Sequence, residues 1–246
     1  MKVSVITICF NSQDTIEDTI KSVISQDYKD IEYIIVDGNS KDNTKSIIQK
    51  YKSKLAYYIS EPDLGIYDAM NKGIAASCGD VIAILNSDDV YAFKSVVSEM
   101  VNALGNNDAV YADLVYVGSN NLNSVKRAWK AGSYKKGLFY FGWMPPHPTF
   151  FVKKKCYDEL GTYSLDLNTS SDYELMLRFI HKFNISISYL QKTIVKMRLG
   201  GASNASIKNR LLANREDKKA WKINGLKPKA YTFLLKPLRK LNQFRI

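Results

Sequence analysis

The chain has 246 residues, 46% of them hydrophobic, and a formal charge of +11, a length that allows one large α/β domain or two small ones. The charge is uneven: residues 208–246 carry 12 Lys and Arg against only Glu216 and Asp217, which leaves 23 basic and 22 acidic residues in 1–207. That distribution argues against a nucleic-acid binder, the scattered Cys9, Cys78 and Cys156 argue against a zinc site or a disulfide framework, and no run of 18 apolar residues is present to span a membrane.

The first hundred residues alternate strand and helix signals. Residues 3–10 form an apolar run predicted as a strand. Asn11-Ser12-Gln13-Asp14 interrupts it without a small-residue cleavage site, which argues against a secretion signal. Ile16, Ile20, Val23 and Ile24 recur at helical spacing within 15–26, with Asp14 as a candidate cap. Residues 31–36 read as a strand ending at Asp37-Gly38, 42–51 as a helix, 55–59 as a strand and Ile66–Ala76 as a helix. Residues 81–85 are short and wholly apolar, the pattern of a strand buried on both faces, and 90–104 read as the next helix. This βαβα rhythm predicts an α/β fold with a mostly parallel, Rossmann-like central sheet and helices on both faces. The polar clusters Asn11-Ser12, Asp37-Gly38-Asn39-Ser40 and Asn86-Ser87-Asp88-Asp89 all follow strands. They are expected along one sheet edge, where open α/β folds bind ligands.

Beyond residue 113 the rhythm changes. A short apolar segment at 109–111 is followed by strands at 113–118 and 125–130, joined by a polar loop at 119–124. Residues 139–151 are rich in aromatics and proline, 172–183 form an amphipathic helix, and 185–199 contain strand-like stretches. No repeat or low-complexity linker divides the chain.

The chemistry concentrates in a few clusters. Two adjacent carboxylates, Asp88 and Asp89, repel each other unless a cation lies beside them, and oxygen ligands of this kind favour Mg²⁺ or Mn²⁺. The same residues also suit a helix N-cap. An Asp at a strand end followed by Gly38, Asn39 and Ser40 can accept hydrogen bonds from a nucleobase or ribose, or cap a helix. Asp68 lies within reach of Asn71 and Lys72 along a helix, an arrangement a surface ion pair also explains. Asp172, behind Ser170 and Ser171 and ahead of an apolar face, caps a helix or serves as a general base. His147 sits among Pro145, Pro146 and Pro148 with Trp143 and Phe141 nearby; taken alone, such a His is more often structural, and aromatics beside prolines pack.

Taken together, these clusters resemble the family 2 glycosyltransferases, the inverting group with the GT-A fold. The matches are residues 3–11, Val36-Asp37-Gly38-Asn39-Ser40-Lys41-Asp42-Asn43-Thr44, the 61–73 segment, Asn86-Ser87-Asp88-Asp89 and Ser171-Asp172-Tyr173-Glu174. Asn43 departs from the usual Gly, and Arg198-Leu199-Gly200-Gly201-Ala202-Ser203 lacks the His that many relatives carry, leaving Arg198 and the loop amides as the evident substitutes. The resemblance implies a GT-A domain over 1–205, with a nucleotide-sugar half at 1–112 and an acceptor half at 113–205. It implies metal-dependent transfer of a hexosyl or N-acetylhexosaminyl group from a nucleotide-diphosphate sugar, UDP-sugar favoured, to a glycan hydroxyl. Asp89 would bind Mn²⁺ or Mg²⁺, and Asp88 the ribose or the metal. Asp37 would receive the base, Thr7, Phe10 and Asn11 would shape its pocket, and Asp63, Asn71 and Lys72 would lie toward the diphosphate or ribose. Asp172 would be the catalytic base, with Trp143, His147 and Arg198 near the sugar or acceptor.

Residues 206–246 read as a basic amphipathic extension. Within 227–246 Tyr231, Leu234, Leu235, Leu238, Leu241 and Phe244 form an apolar stripe among basic residues, with Pro237 limiting the helix. This pattern predicts contact with an anionic membrane surface. Together with cysteines read as reduced thiols, it suggests a cytoplasmic chain held peripherally on the inner face of the cell membrane, and the family resemblance then implies a lipid-linked glycan acceptor in surface polysaccharide synthesis. A tail packed on the domain is the alternative. A nucleotidyltransferase is the rival enzyme, although the first loop lacks a Gly- and Arg-containing phosphate cradle. A non-catalytic nucleotide-sugar binding module is the other rival, and it has no need for Asp172.

Overall fold

The computed structural model describes residues 1–200, 207–241 and 243. Its nine strands form a single sheet: β1 (Val3–Cys9), β2 (Ile31–Asp37), β3 (Tyr57–Ser60), β4 (Val81–Ile84), β5 (Asp89–Tyr91), β6 (Ala109–Gly118), β7 (Asn121–Trp129), β8 (Phe151–Lys153) and β9 (Ile187–Arg198). The order is β3-β2-β1-β4-β8-β6-β9-β5, with β7 paired to β6. The helices are α1 (Ile16–Ile24), α2 (Thr44–Gln49), α3 (Ile66–Ala76), α4 (Val96–Leu104), α5 (Lys154–Leu160), α6 (Ser171–Met176), α7 (Ile207–Ile223) and α8 (Thr232–Leu241).

Every residue of β1 is buried because β2 and β4 flank it in parallel and helices cover both faces. Its side chains alternate between two cores, as the period of a strand requires. Val3, Val5 and Cys9 meet α1 and α4 through Ile16, Ile20, Val97 and Met100. Ile6 and Ile8 face the side of α3, where Met70 and Ile74 join an aromatic cluster from the second half of the chain. The expected parallel pairing holds across β3-β2-β1-β4 and again between β6 and β9. Strands β5, β7 and β8 instead enter antiparallel.

Three element boundaries differ from expectation for physical reasons. The helix expected from residue 90 starts at Val96, because Asp89, Val90 and Tyr91 pair with Met197, Lys196 and Val195 of β9. The carboxylate pair therefore begins a strand and caps no helix. The apolar segment at 109–111 and the strand expected at 113–118 form one strand, with a register shift against β9 around Asp113. The helix expected at 172–183 turns from α into a π-helical segment, Leu177–Lys182.

Helices α7 and α8 pack on the rest of the domain. Trp221 is fully buried and its indole N–H donates to the Tyr173 hydroxyl at 2.9 Å. The buried Asp217 pairs with Lys236 of α8 at 2.6 Å. Apart from Asn242, Phe244, Arg245 and Ile246, which lie outside the described residues, the basic segment from 207 onward is thus part of the fold rather than a loose appendage. Trp221→Ala should destabilise the protein by about 3–5 kcal/mol, the usual cost of emptying a large aromatic site. Urea unfolding followed by tryptophan and far-UV signals checks this; an unchanged midpoint would mean that α7 contributes nothing to the core.

Candidate active site

The loops after β1 and β2 are tied to each other. Asn11 has a left-handed backbone, φ 47°, which Asn tolerates better than most residues. Its Oδ1 accepts the Lys41 N–H at 2.9 Å, and its own N–H donates to Ser40 Oγ at 2.8 Å. Asp37, expected to receive a base, is fully buried. Its carboxylate accepts the Ser40 N–H at 3.1 Å, Ser60 Oγ at 2.5 Å and Ser40 Oγ, so its lone pairs are spent on its own loop. Thr7 is likewise buried, its hydroxyl 3.1 Å from that of Tyr33, and does not reach the surface.

Two of the expected nucleotide contacts are open. Phe10 is 61% exposed, and Asp63 is partly exposed. They meet over Gly38, where a Cβ would lie 2.4 Å from Asp63 Oδ2 and 3.4 Å from the Phe10 ring. An aromatic face beside a carboxylate suits a planar heterocycle carrying an N–H. Asn71 and Lys72 are already engaged. Asn71 exchanges two hydrogen bonds of 2.9 Å with the backbone of Tyr163. Lys72 donates to the Pro62 carbonyl at 2.9 Å and pairs with Glu61 at 2.8 Å and Asp68 at 3.4 Å. Both brace the 61–73 segment rather than pointing to a ligand.

Asp88 and Asp89 follow β4 on a loop held from three sides. Thr19 Oγ1 donates to the carbonyls of Ser87 and Asp89 at 2.9 and 2.8 Å, and the Ser12 and Ser87 hydroxyls are 2.8 Å apart. Arg198, nearly buried, donates to the Asp88 carbonyl at 3.0 Å and the Ser119 carbonyl at 3.1 Å, and pairs with Asp18 at 2.5 Å. It is therefore a brace of the carboxylate loop and not a free sugar contact. Gly201, Ala202 and Ser203 of the same motif lie outside the described residues. Asp88 is partly exposed and lines a cavity of about 570 Å³ together with Asp14, Asp18, Asn120 and Arg198.

Burial raises the pKa of Asp88, and it raises that of Asp89 further, with the Asp88 charge adding to the effect. Asp89 Oδ1 and Asn86 Oδ1 are buried without a hydrogen-bond partner among the described residues. Two crowded carboxylates with an orphaned oxygen form an all-oxygen donor set that fits Mg²⁺ or Mn²⁺. Among the described residues no cluster of three or more His, Cys, Asp or Glu is placed to hold a metal. The remaining ligands would have to come from elsewhere, such as a diphosphate and water.

Asp172, at the start of α6, faces this loop across the sheet edge. Its Oδ1 accepts the Tyr67 hydroxyl at 3.3 Å, and its Oδ2 lies 3.3 Å from His147 Nδ1. On the far side of the imidazole, Nε2 is 3.5 Å from the Asn86 amide nitrogen, whose hydrogens also reach Asp89 Oδ2 at 3.4 Å. Asn86 can only donate through that nitrogen, so Nε2 accepts and Nδ1 carries the proton toward Asp172. A continuous path Asp172–His147–Asn86–Asp89 thus joins the candidate base to the carboxylate pair. Desolvation and the Asp172 charge push the Tyr67 pKa up, which keeps its proton in place as a donor. Trp143 is not in the site: it is 3% exposed, its N–H donates to the Ala131 carbonyl at 2.8 Å, and its ring packs on Tyr111, Tyr134 and Phe139.

Several residues support the site in ways the sequence did not announce. Glu216 of α7 accepts the backbone N–H groups of Asn168 and Thr169 at 3.0 and 2.7 Å and the Thr169 hydroxyl at 2.7 Å, securing the turn into α6. Glu174 and Arg178 pair at 2.9 Å, and Arg178 also donates to the carbonyls of Leu160, Gly161 and Thr162. Tyr67 lay inside a quoted motif, yet only the fold brings it to Asp172.

The sequence model of glycosyl transferase family 2 matches residues 4–164. An uncharacterized glycosyltransferase of Mycobacterium tuberculosis is 36% identical over 178 residues, covering 72% of this chain and 68% of the relative. A PGL/p-HBAD biosynthesis glycosyltransferase of Mycobacterium bovis is 24% identical, covering 85% of this chain and 82% of its own. In fold, the chain resembles S. aureus TarS in complex with UDP-GlcNAc, with a TM-score of 0.69 at 17% identity over 99% of this chain and 72% of that one. It also resembles a Pyrobaculum calidifontis mannosyltransferase in complex with GDP-Man and Mn²⁺, with a TM-score of 0.68 at 16% identity over 95% and 68%. These are GT-A structures, in agreement with the expected fold class.

Carboxyls whose pKa lies above the unfolded value bind protons more tightly when folded, so stability falls as pH rises through the raised pKa. A divalent cation on Asp88 and Asp89 opposes that loss and competes with protons. The melting temperature should therefore rise with Mn²⁺ more at pH 7.5 than at pH 5. Asp89→Asn, without added metal at neutral pH, should melt roughly 2–4 °C higher, as about 1 kcal/mol gives for a chain of this size, and should lose the response to Mn²⁺. A response to Mn²⁺ that survives in Asp89→Asn would place the ion elsewhere.

Proposed function

The chain belongs to the family 2 glycosyltransferases, and from that premise we propose that it transfers a sugar, with inversion, from a nucleotide-diphosphate sugar to a glycan hydroxyl. One observation carries the proposal: Asp172 is joined through His147 and Asn86 to the Asp88–Asp89 pair. In this reading Asp172 is the proton acceptor and the Asp88–Asp89 pair marks the leaving-group site. The acceptor hydroxyl gives its proton to Asp172 as its oxygen bonds to the anomeric carbon, while the bond from that carbon to the diphosphate oxygen breaks. Tyr67 and His147 each donate to one oxygen of Asp172, which fixes the carboxylate for that transfer. When bound at Asp88 and Asp89, Mn²⁺ or Mg²⁺ would offset the negative charge that develops on the departing nucleotide diphosphate.

A UDP-sugar is the favoured donor, carrying a hexosyl or N-acetylhexosaminyl group. The open Phe10 face and the Asp63 carboxylate support base recognition there, with Asp37 acting from below by shaping the loop. Complexes of the structural relatives with UDP-GlcNAc and with GDP-Man and Mn²⁺ support a nucleotide sugar and a divalent ion. In this reading residues 1–112 serve the donor and 113–205 the acceptor. The acceptor is a lipid-linked glycan of surface polysaccharide synthesis, met by a chain lying peripherally on an anionic membrane. Among the described residues no helix is long and apolar enough to cross one.

Asp172→Asn should lose about 10²–10⁴-fold in turnover while keeping its donor affinity, as measured by calorimetry with the intact nucleotide sugar. Equal turnover would remove Asp172 from the mechanism. Asp63→Asn should show the opposite pattern, weakening donor binding by roughly tenfold, the equivalent of one charge-assisted hydrogen bond, with little change in turnover at saturation. Unaltered donor affinity would assign the base to another group.

A further inference from the structure

We propose that Phe141, Tyr231, Leu234 and Leu238 form one docking surface for an anionic lipid bilayer, and that this surface is fixed to the elements bearing His147 and Asp172. Two separate parts of the chain build it. Phe141 ends a short 3-10 turn, Leu138–Phe141, and is 47% exposed; its ring stacks on that of Tyr231, with centroids 5.5 Å apart. Leu234 and Leu238 are 69% and 55% exposed and lie one turn apart on one side of α8, while Tyr231 is in the turn that leads into the helix. The buried Thr232 and the partly buried Phe233 and Lys236 turn the other way, toward the protein.

The charge around this apolar group identifies the occupant. Between Lys218 and Ile246 there are nine basic residues and no acidic one, and no acidic residue occurs from Leu114 to Tyr157 on the other contributing segment. Lys135, Lys136, Lys227, Lys229 and Arg239 are exposed, and Lys229 Nζ lies 5.8 Å from the Tyr140 ring centroid, beside Phe141 in sequence. Aromatic and leucine side chains that enter the interface, rimmed by cations without a carboxylate, match an anionic bilayer. A protein partner of ordinary mixed charge would leave this one-signed rim uncompensated.

The surface is not hung on a flexible tether. Gly142 has φ 73°, and a Cβ there would fall 2.5 Å from the backbone of Lys236, so α8 lies directly on the loop that runs to His147. The Lys236 ammonium sits 3.7 Å from the centroid of Tyr173, the residue after Asp172, and is held by Asp217. A bilayer seated on α8 and Phe141 therefore sets the cleft at a defined height and tilt, suited to a hydroxyl on a glycan carried by lipid. The use of the surface rests on the proposed lipid-linked acceptor; its geometry does not.

The test is co-sedimentation of the full chain with phosphatidylglycerol-containing vesicles and with pure phosphatidylcholine vesicles. Wild type should bind the anionic vesicles and release them at high salt. Phe141→Ser combined with Leu234→Ser and Leu238→Ser should bind about tenfold more weakly, with donor affinity and hydrolysis of the free nucleotide sugar unchanged. Leu234→Ser alone, at the most exposed position, should show a smaller loss in the same direction and serves if the triple variant misfolds. Vesicle binding that is absent in wild type, or equal in the variants, overturns the proposal. So does a change of oligomeric state in sedimentation velocity without a change in vesicle binding, which would make the face a contact between copies. Loss of nucleotide-sugar hydrolysis in wild type would instead count against the transferase reading and leave the vesicle result standing.

Discussion

Keeping Asp88 and Asp89 side by side, one of them cut off from water, is the constraint around which the site is arranged. Burial disfavours ionisation of each, and the charge of one disfavours that of the other. The surroundings respond with backbone anchoring instead of a neutralising ion pair. Thr19, Ser12 and Arg198 grip the loop through its carbonyls and a serine hydroxyl, while the Arg198 charge is shared with Asp18. The loop is thus rigid while its carboxylate oxygens are left short of partners, the condition under which an arriving cation gains most.

Asp172, the proposed base, is supported by residues far apart in sequence. Asp172 opens a six-residue helix that continues in π geometry, an arrangement with little intrinsic stability. Its support comes from outside: Tyr67 from α3, Glu216 and Trp221 from α7, and the Arg178 clamp on the 160–162 carbonyls. The C-terminal helices are in this sense part of the support of α6.

How much of this was legible in the sequence depended on what kind of signal each feature leaves. β4 was readable because burial on both faces requires an unbroken apolar run, β1 because its run is interrupted only by the small, buried Ser4 and Thr7, and α3 because its apolar spacing is helical. Motif chemistry gave Asp172, His147, Asp88 and Asp89 as candidates, and the fold brings them together. Side-chain direction was not legible. Thr7, Asp37, Asn71 and Arg198 are polar residues at the right edge of the sheet, yet each is turned inward to satisfy backbone or neighbouring groups. Trp143 could not be told from a sugar platform by type alone, since a buried indole needs only one acceptor, here the Ala131 carbonyl. The start of α4 was misplaced because Asp89–Tyr91 pairs with β9, more than a hundred residues away, a partner no local pattern announces.

The glycine at 142 carries a consequence for how this architecture could change over time or be rebuilt. Backbone meets backbone there, so α8 and the 138–142 turn must fit each other at atomic distance. The basic segment is therefore not a cassette that relatives could exchange freely. A tail of different shape transplanted onto this body would need its own complement to residue 142 and to Tyr173, and cutting the tail away would strip support from α6 at the same time. The proposed membrane contact and the proposed chemistry are therefore under one shared selection, separable by point changes on the outer face of α8 but not by moving its end of the chain.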